Sequence, residues 1–168
     1  DVQAHAAFAL MEIMRANHAI QTTVVDNAGV GALANLMKNS QHAAVKAEVA
    51  GAIWSLAEDA EFKVSIGSSG TCPPLVVVLG AVSDERALLH AAEALASIAR
   101  GNEANQVQIT QLLIELLAAP SSADSAQKRA LAQLKRLVNE NQDAHDAIAR
   151  AGNPTVLVEL MNMGMPDA

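Results

Sequence analysis

The sequence predicts an all-α repeat protein, a solenoid of stacked helical units, and three observations carry that expectation. Hydrophobic residues make up 51% of the 168, but only 2% are aromatic and none is Tyr, so the core must be built from Ala, Leu, Val and Ile. Ala-rich faces let helices approach closely and favour helix over strand. Second, the stretch Val45–Ala57 is apolar on two sides. Val45, Val49, Ala52, Ile53 and Leu56 recur at helical spacing, and Ala47, Ala50, Trp54 and Ala57 supply the other side. Glu48, Gly51 and Ser55 form the narrow strip left for water or a partner. Third, the pattern repeats. Ile53/Leu56 returns as Leu10/Ile13, Leu95/Ile98 and Leu134/Leu137, at intervals of 43, 42 and 39 residues. An independent pair, Leu33/Leu36, returns as Leu75/Val78, Leu113/Leu116 and Leu157/Leu160, at intervals of 42, 38 and 44. The mean of about 41 residues is the length of a two- or three-helix solenoid unit.

Taken in order, residues 2–15 make a lone third helix of a unit, carrying Phe8, Leu10 and Ile13. Residues 17–28 make a short first helix, and the Gly29-Val-Gly31 corner turns into a second helix near 31–39. Ser40 is the expected N-cap of the third helix at about 42–58. A short helix near 60–66, a Gly/Ser/Pro corner at 67–74 and a second helix at 74–81 follow, and Ser83 or Asp84 caps a third helix at 85–100. From one third-helix marker to the next second-helix marker the separation is 20, 19, 15 and 20 residues. The short one, Ile98 to Leu113, has lost its corner glycine, so that unit is expected to have a stunted first helix before a second helix at 110–118. Regular spacing resumes with helices at 124–139, 143–150 and 154–163 and a corner at Gly152. The expected organisation is a single domain: a lone third helix (1–15), units 16–58, 59–100 and 101–140, and an incomplete unit 141–168. Finished solenoids cap their ends with polar surface. A chain that begins with a third helix and ends with a first and second one reads as an excerpt of a longer solenoid.

Composition narrows the function classes. A net charge of −7 disfavours nonspecific binding to nucleic acid or an anionic membrane. The longest apolar run, Pro73 to Val82, is too short and interrupted to span a bilayer. A single cysteine, Cys72, and the absence of an Asn-x-Ser/Thr acceptor fit a reducing, intracellular setting, cytoplasmic or nuclear.

These residues resemble armadillo repeats. Ala50-Gly-Ala-Ile-Trp-Ser-Leu-Ala57 is similar to the family's third-helix signature, Ala-Gly-Ala-Leu-Trp-Asn-Leu-Ala. Ala151-Gly-Asn-Pro-Thr-Val-Leu-Val-Glu-Leu-Met161 is similar to its corner between first and second helices. The resemblance covers nearly the whole chain. It implies a right-handed α-solenoid, the armadillo superhelix, whose third helices line a concave groove that binds extended segments of other proteins. Family members that carry nuclear cargo repeat a Trp and, one turn later, an Asn. The matching positions here are Phe8, Gly51, Glu93 and Ala132, and Glu12, Ser55, Ser97 and Arg136, so no unit keeps the pair and an import adaptor is disfavoured. The basic ladder by which some adhesion-signalling members hold acidic peptides is missing from the first three third helices as well.

The candidate partner-binding strip follows from helical spacing: His5, Phe8 and Glu12; Glu48, Gly51 and Ser55; His90, Glu93 and Ser97; Arg129, Ala132 and Arg136. The expected ligand is a peptide or partner protein with a cationic portion near Glu12, Glu48 and Glu93 and an acidic portion near Arg129 and Arg136. The bland alternative is that these are the solvated residues a buried helix must have. Four basic residues on one helix, Lys128, Arg129, Lys135 and Arg136, lack the aromatic stacking partners of a nucleic-acid site.

No catalytic constellation, cofactor or metal is expected. His5 and His90 lie two units apart, on the order of 20 Å at helix-packing distances, far beyond a shared zinc. Gly29-Val-Gly31-Ala-Leu-Ala34 has the spacing of a dinucleotide fingerprint but is followed by a two-sided helix instead of a strand ending in an acid. Asp143, His145 and Asp146 have no nucleophile in register. The expectation is a non-catalytic interaction scaffold. Its alternatives are an assembly module joining head to tail through its end helices and, more distantly, the substrate-recognition part of a larger enzyme such as a ubiquitin ligase.

Overall fold

In the computed structural model the described residues are 2–15, 17–119, 123–140 and 158. They form nine α-helices and no strand: α1 Val2–Met14, α2 His18–Asp26, α3 Gly29–Asn39, α4 Ala43–Ala57, α5 Lys63–Ser68, α6 Cys72–Ala81, α7 Glu85–Ala99, α8 Glu103–Ala118 and α9 Asp124–Glu140. A 3-10 turn, Ala60–Phe62, leads into α5. The expected helices 143–150 and 154–163, the corner at Gly152 and the Asp143/His145/Asp146 group lie outside the described residues, apart from Val158.

The helices stack by type. The third helices form one layer, α1 on α4, α4 on α7 and α7 on α9, while α3, α6 and α8 form the second. Burial explains the two-sided pattern. Ten residues of α4 are buried, including Ala47, Ala50, Ala52 and Ala57 beside Val45, Val49, Ile53 and Leu56. Ile53 and Leu56 and their counterparts Leu95 and Ile98 are all fully excluded from solvent within one continuous core. Burying each such side chain contributes about 1.5–3 kcal/mol relative to exposure.

Local signals set the helix starts. Asn17, Asp84 and Asn102 cap α2, α7 and α8, accepting N–H bonds from Ile20, Ala87 and Asn105 at 3.2, 2.8 and 3.0 Å. Helix α6 begins two residues before its expected start because Pro73 and Pro74 fit its first turn, where an N–H is not needed. Ser40 is not the N-cap of α4. It ends α3, and its hydroxyl accepts the His42 N–H at 3.2 Å; the N-cap position of α4 is held by His42, whose side chain is not the capping group. At the α2–α3 corner the left-handed residue is Ala28, at φ 58°, and not a glycine. Gly29 is required for closeness: a Cβ there would lie 2.7 Å from the Val24 carbonyl oxygen and from its Cγ1.

The irregular unit departs from its expected form. No separate stunted first helix exists; α8 runs unbroken through the first- and second-helix positions. With the corner glycine and about a turn of chain gone, nothing stops helix propagation at the old corner. The first-helix function survives inside α8. Gln21 on α2 donates from Nε2 to the Met14 carbonyl at 3.0 Å, and Gln106 on α8 donates to the Ala99 carbonyl at 2.9 Å. Each glutamine lies four residues after its N-cap asparagine and satisfies an orphan carbonyl at the end of the preceding third helix. Asn105 adds a clip, donating to the carbonyls of Lys63 and Ile98 at 2.8 and 3.1 Å.

One marker breaks the expected equivalence. Ile13 is 55% exposed, whereas its repeat mates Leu56, Ile98 and Leu137 are 0–3% exposed, because no described element covers that side of α1. The substitution Ile13→Ala should therefore cost under about 1 kcal/mol, and Leu56→Ala about 2–5 kcal/mol. Urea unfolding of the two variants measures the difference.

Candidate functional site on the third-helix layer

The strip expected to face a partner is partly closed by the stack itself. Gly51 is buried: a Cβ there would fall 2.8 Å from Met11 Sδ and 2.9 Å from His90 Nδ1, so α1 and α7 meet over α4. Glu48 is also buried, at 4% exposure, and Ser97 at 1%. The expectation of an open strip fails at these three positions, for one reason: Ala-rich third helices pack so closely that α4 and α7 are covered there by their neighbours.

Polar side chains on the strip bond across to the neighbouring helices. Glu48 accepts from Arg86 at 2.6 Å, linking α4 to α7. The Ser97 hydroxyl donates to Glu58 at 2.6 Å across the same pair, and Trp54 Nε1 donates to that carboxylate at 3.0 Å. His90 Nδ1 lies 2.8 Å from the Ala47 carbonyl oxygen, and its ring centre 6.0 Å from that of Trp54. Between α7 and α9, Arg136 grips Glu93 with two bonds of 2.7 and 2.9 Å, and Gln133 donates to the Ala92 carbonyl at 2.9 Å. Arg129 turns away from the strip and donates to Leu79 of α6 at 2.6 Å. The expected separation into an acidic part near Glu48 and Glu93 and a basic part near Arg129 and Arg136 is thus corrected. Glu93 and Arg136 neutralise each other, and Glu48 and Arg129 are engaged internally.

Exposed on the layer are His5, Phe8, Glu12, Leu89, Lys128, Ala132 and Lys135, while Ser55 is half-buried. Phe8 is 46% and Leu89 55% exposed. Glu12 approaches Arg15 at 3.7 Å with both side chains largely in solvent, a pair of little energetic weight. Sequence spacing missed Leu89, Arg86 and Gln133. Leu89 had a readable signal, an apolar residue off the buried sides of its helix; Arg86 and Gln133 had none, because their partners sit on other helices.

The electrostatics follow the bonds. The Ser97 hydroxyl holds the Glu58 carboxyl below its ordinary value of 4.5, despite partial desolvation, with Trp54 and the Arg100 and Lys63 charges assisting. The Arg136 guanidinium does the same for Glu93. Desolvation lowers Lys63, whose ammonium donates to the Arg100 carbonyl at 2.8 Å at the end of α7. Burial pushes the Cys72 thiol up to about 11, away from the thiolate a nucleophile needs. Among the described residues no group of three His, Cys, Asp or Glu is placed to hold a metal ion, and no single helix is long and apolar enough to cross a membrane.

With this geometry in place, solved structures supply the comparison. An engineered protein from a structural genomics consortium aligns over 94% of this chain and 65% of its own, with TM-score 0.66 and 30% identity. A designed armadillo repeat protein in complex with the peptide (KR)4 aligns over 96% of this chain and 68% of its own, with TM-score 0.64 and 21% identity. The fold is armadillo-like. Computationally designed armadillo repeat proteins for modular peptide recognition give the same TM-score of 0.64, at 21% identity and coverage of 96% and 68%. No protein-family model and no curated protein sequence matches the chain. The armadillo-like chain spans 65% of the length of the first engineered structure and 39% of another at 30% identity.

Two outcomes are expected. Glu48 has one oxygen on Arg86 and the other buried without a hydrogen bond, so removing the arginine leaves a buried charge uncompensated. Arg86→Ala should cost about 2 kcal/mol, and Glu48→Leu less or nothing; equilibrium denaturation compares them. Second, Glu58 and Glu93 have folded values below their unfolded ones, so their contribution is complete above pH 4.5 and is lost as pH falls through the lower folded values. Melting temperature should decline on acidification below that point, and Glu93→Gln should flatten the decline in a pH series of thermal melts.

Proposed function

We propose that the chain is a non-catalytic scaffold that holds an extended peptide of a partner protein along its third-helix layer. The supporting observation is the pairing of uncovered apolar side chains, Phe8 and Leu89, with a surface otherwise tied up in bonds between neighbouring units. A surface so arranged offers rigid anchor points at small entropic cost to a ligand. Designed armadillo proteins of the same fold were built for modular peptide recognition, and one is bound to a basic peptide, which supports the class of ligand. The charges left in solvent set its polarity. A cationic portion would lie toward Glu12 on α1, and an acidic portion toward Lys128 and Lys135 on α9, within an intracellular setting.

A second reading, head-to-tail assembly, has one observation in its favour: Val2 and Ile13 on α1 are 85% and 55% exposed, an apolar edge. Such a joint would be heterologous and would not close. Light scattering across a concentration series separates the readings, since growth beyond a dimer supports assembly and a constant monomer mass removes it.

The scaffold reading is tested by selecting octapeptides from a displayed library on the whole chain and following binding through the emission of Trp54. The expected result is saturable binding that Leu89→Asp combined with Ala132→Asp weakens by about tenfold, equivalent to about 1.4 kcal/mol. Peptides that bind this double variant as well as the parent would overturn it.

A further inference from the structure

The second-helix layer carries a feature that the strip does not use. Between α3 and α6 lies an open cleft of about 360 Å³. Its floor includes Ala34 and Met37, 5% and 1% exposed, and its walls include Pro73, Pro74 and Val77. Lys38 and Lys46 stand at its rim with Asn35 and Ser69. Neither lysine makes an ion pair with the described residues.

Charge is distributed unevenly around this cleft. The protein has 18 acidic residues against 11 Lys and Arg, yet residues 27–47 and 62–83, which contain all of α3 and α6, have no Asp or Glu. The cleft is therefore a locally cationic, apolar-floored patch on an acidic protein. The amino end of α6 opens beside it at Ser69 and Gly70, adding positive potential of the same sign. The charges that make the chain −7 overall stand outside these walls, and beyond about 8 Å they are largely screened at physiological salt.

We propose that the cleft between α3 and α6 is a second binding site, taking a short acidic peptide segment that presents an apolar side chain. The apolar group would pack on Pro73, Pro74 and Val77 above the buried floor of Met37 and Ala34, and flanking carboxylates would meet Lys38 and Lys46. An extended segment suits the surface better than a compact ligand. Val77, in the wall, is 55% exposed, so the cleft is not enclosed. Lys46 also borders a second depression, of about 510 Å³, between Gln41 and Ser83. The carboxylate lining that depression, Asp84, is occupied as the cap of α7, accepting the Ala87 N–H at 2.8 Å.

The test is a titration of the ¹⁵N-labelled whole chain, followed by amide shifts, with three capped octapeptides. The probe alternates pairs of Asp with single Leu; the controls replace Asp by Lys, or Leu by Ser. Expected are saturable shifts at Gly31, Asn35, Gly70 and Val77 with the acidic leucine peptide, and at least about tenfold weaker binding by either control. Lys38→Glu with Lys46→Glu should abolish the shifts, and the milder Lys38→Gln with Lys46→Gln should weaken binding about fivefold or more while leaving the melting temperature unchanged. Leu89→Asp on the third-helix layer should not alter binding here, which separates this site from the peptide strip. The proposal is overturned by shifts centred on α7 and α9, by no saturation up to about 1 mM, or by equal binding to the glutamine variant. Equal binding of octanoate and the peptide would overturn it too, since the site would then recognise a small amphipathic acid.

Discussion

Three helices converge over one residue that has no side chain, and the spacing of the third-helix layer depends on it. At Gly51 the Met11 thioether of α1 and the His90 imidazole of α7 occupy the space a methyl group would take. Close approach brings Ala47 within reach of His90 and Glu48 within reach of Arg86. Once helices are this near, a polar residue between them must find a partner in the protein, since water cannot enter. The bonds along the strip are therefore consequences of alanine-rich packing as much as sources of stability.

That coupling explains which parts of the molecule were readable in the sequence. Periodicity alone located α1 to α7 and α9 and assigned each to its layer, because the apolar repeat records burial directly. It also flagged the short interval after Ile98, but it could not say that α8 would run through the corner instead of shrinking before it. Both outcomes remove one turn, and they differ only in whether a stop signal is present. Site residues were harder. Spacing places Glu93 and Arg136 on the correct face but says nothing about their mutual grip, which depends on the offset between two helices 43 positions apart in sequence. Ser40 shows the same limit on a smaller scale, since a capping residue two positions early serves the helix before it.

The two layers divide the protein's charge between them. On the third-helix side, acids and bases are interleaved and neutralised in pairs, leaving apolar groups and a few lysines outward. On the second-helix side, α3 and α6 contain no carboxylate, and Lys38 of α3 and the adjoining Lys46 of α4 make no ion pair among the described residues. A single net charge of −7 hides these opposite arrangements. Two faces with such different electrostatics suit different peptides, so one small chain of this kind could hold two segments at once without competition between them.

The lone sulfhydryl has a practical corollary. Cys72 sits with no solvent exposure at the first turn of α6, its acidity suppressed by its surroundings. Alkylating reagents will pass over the folded molecule and react only in the instants when the α5–α6 corner breathes. The protein thus contains its own stopwatch for local opening, and any cysteine introduced on its surface can be labelled selectively while that internal clock stays silent.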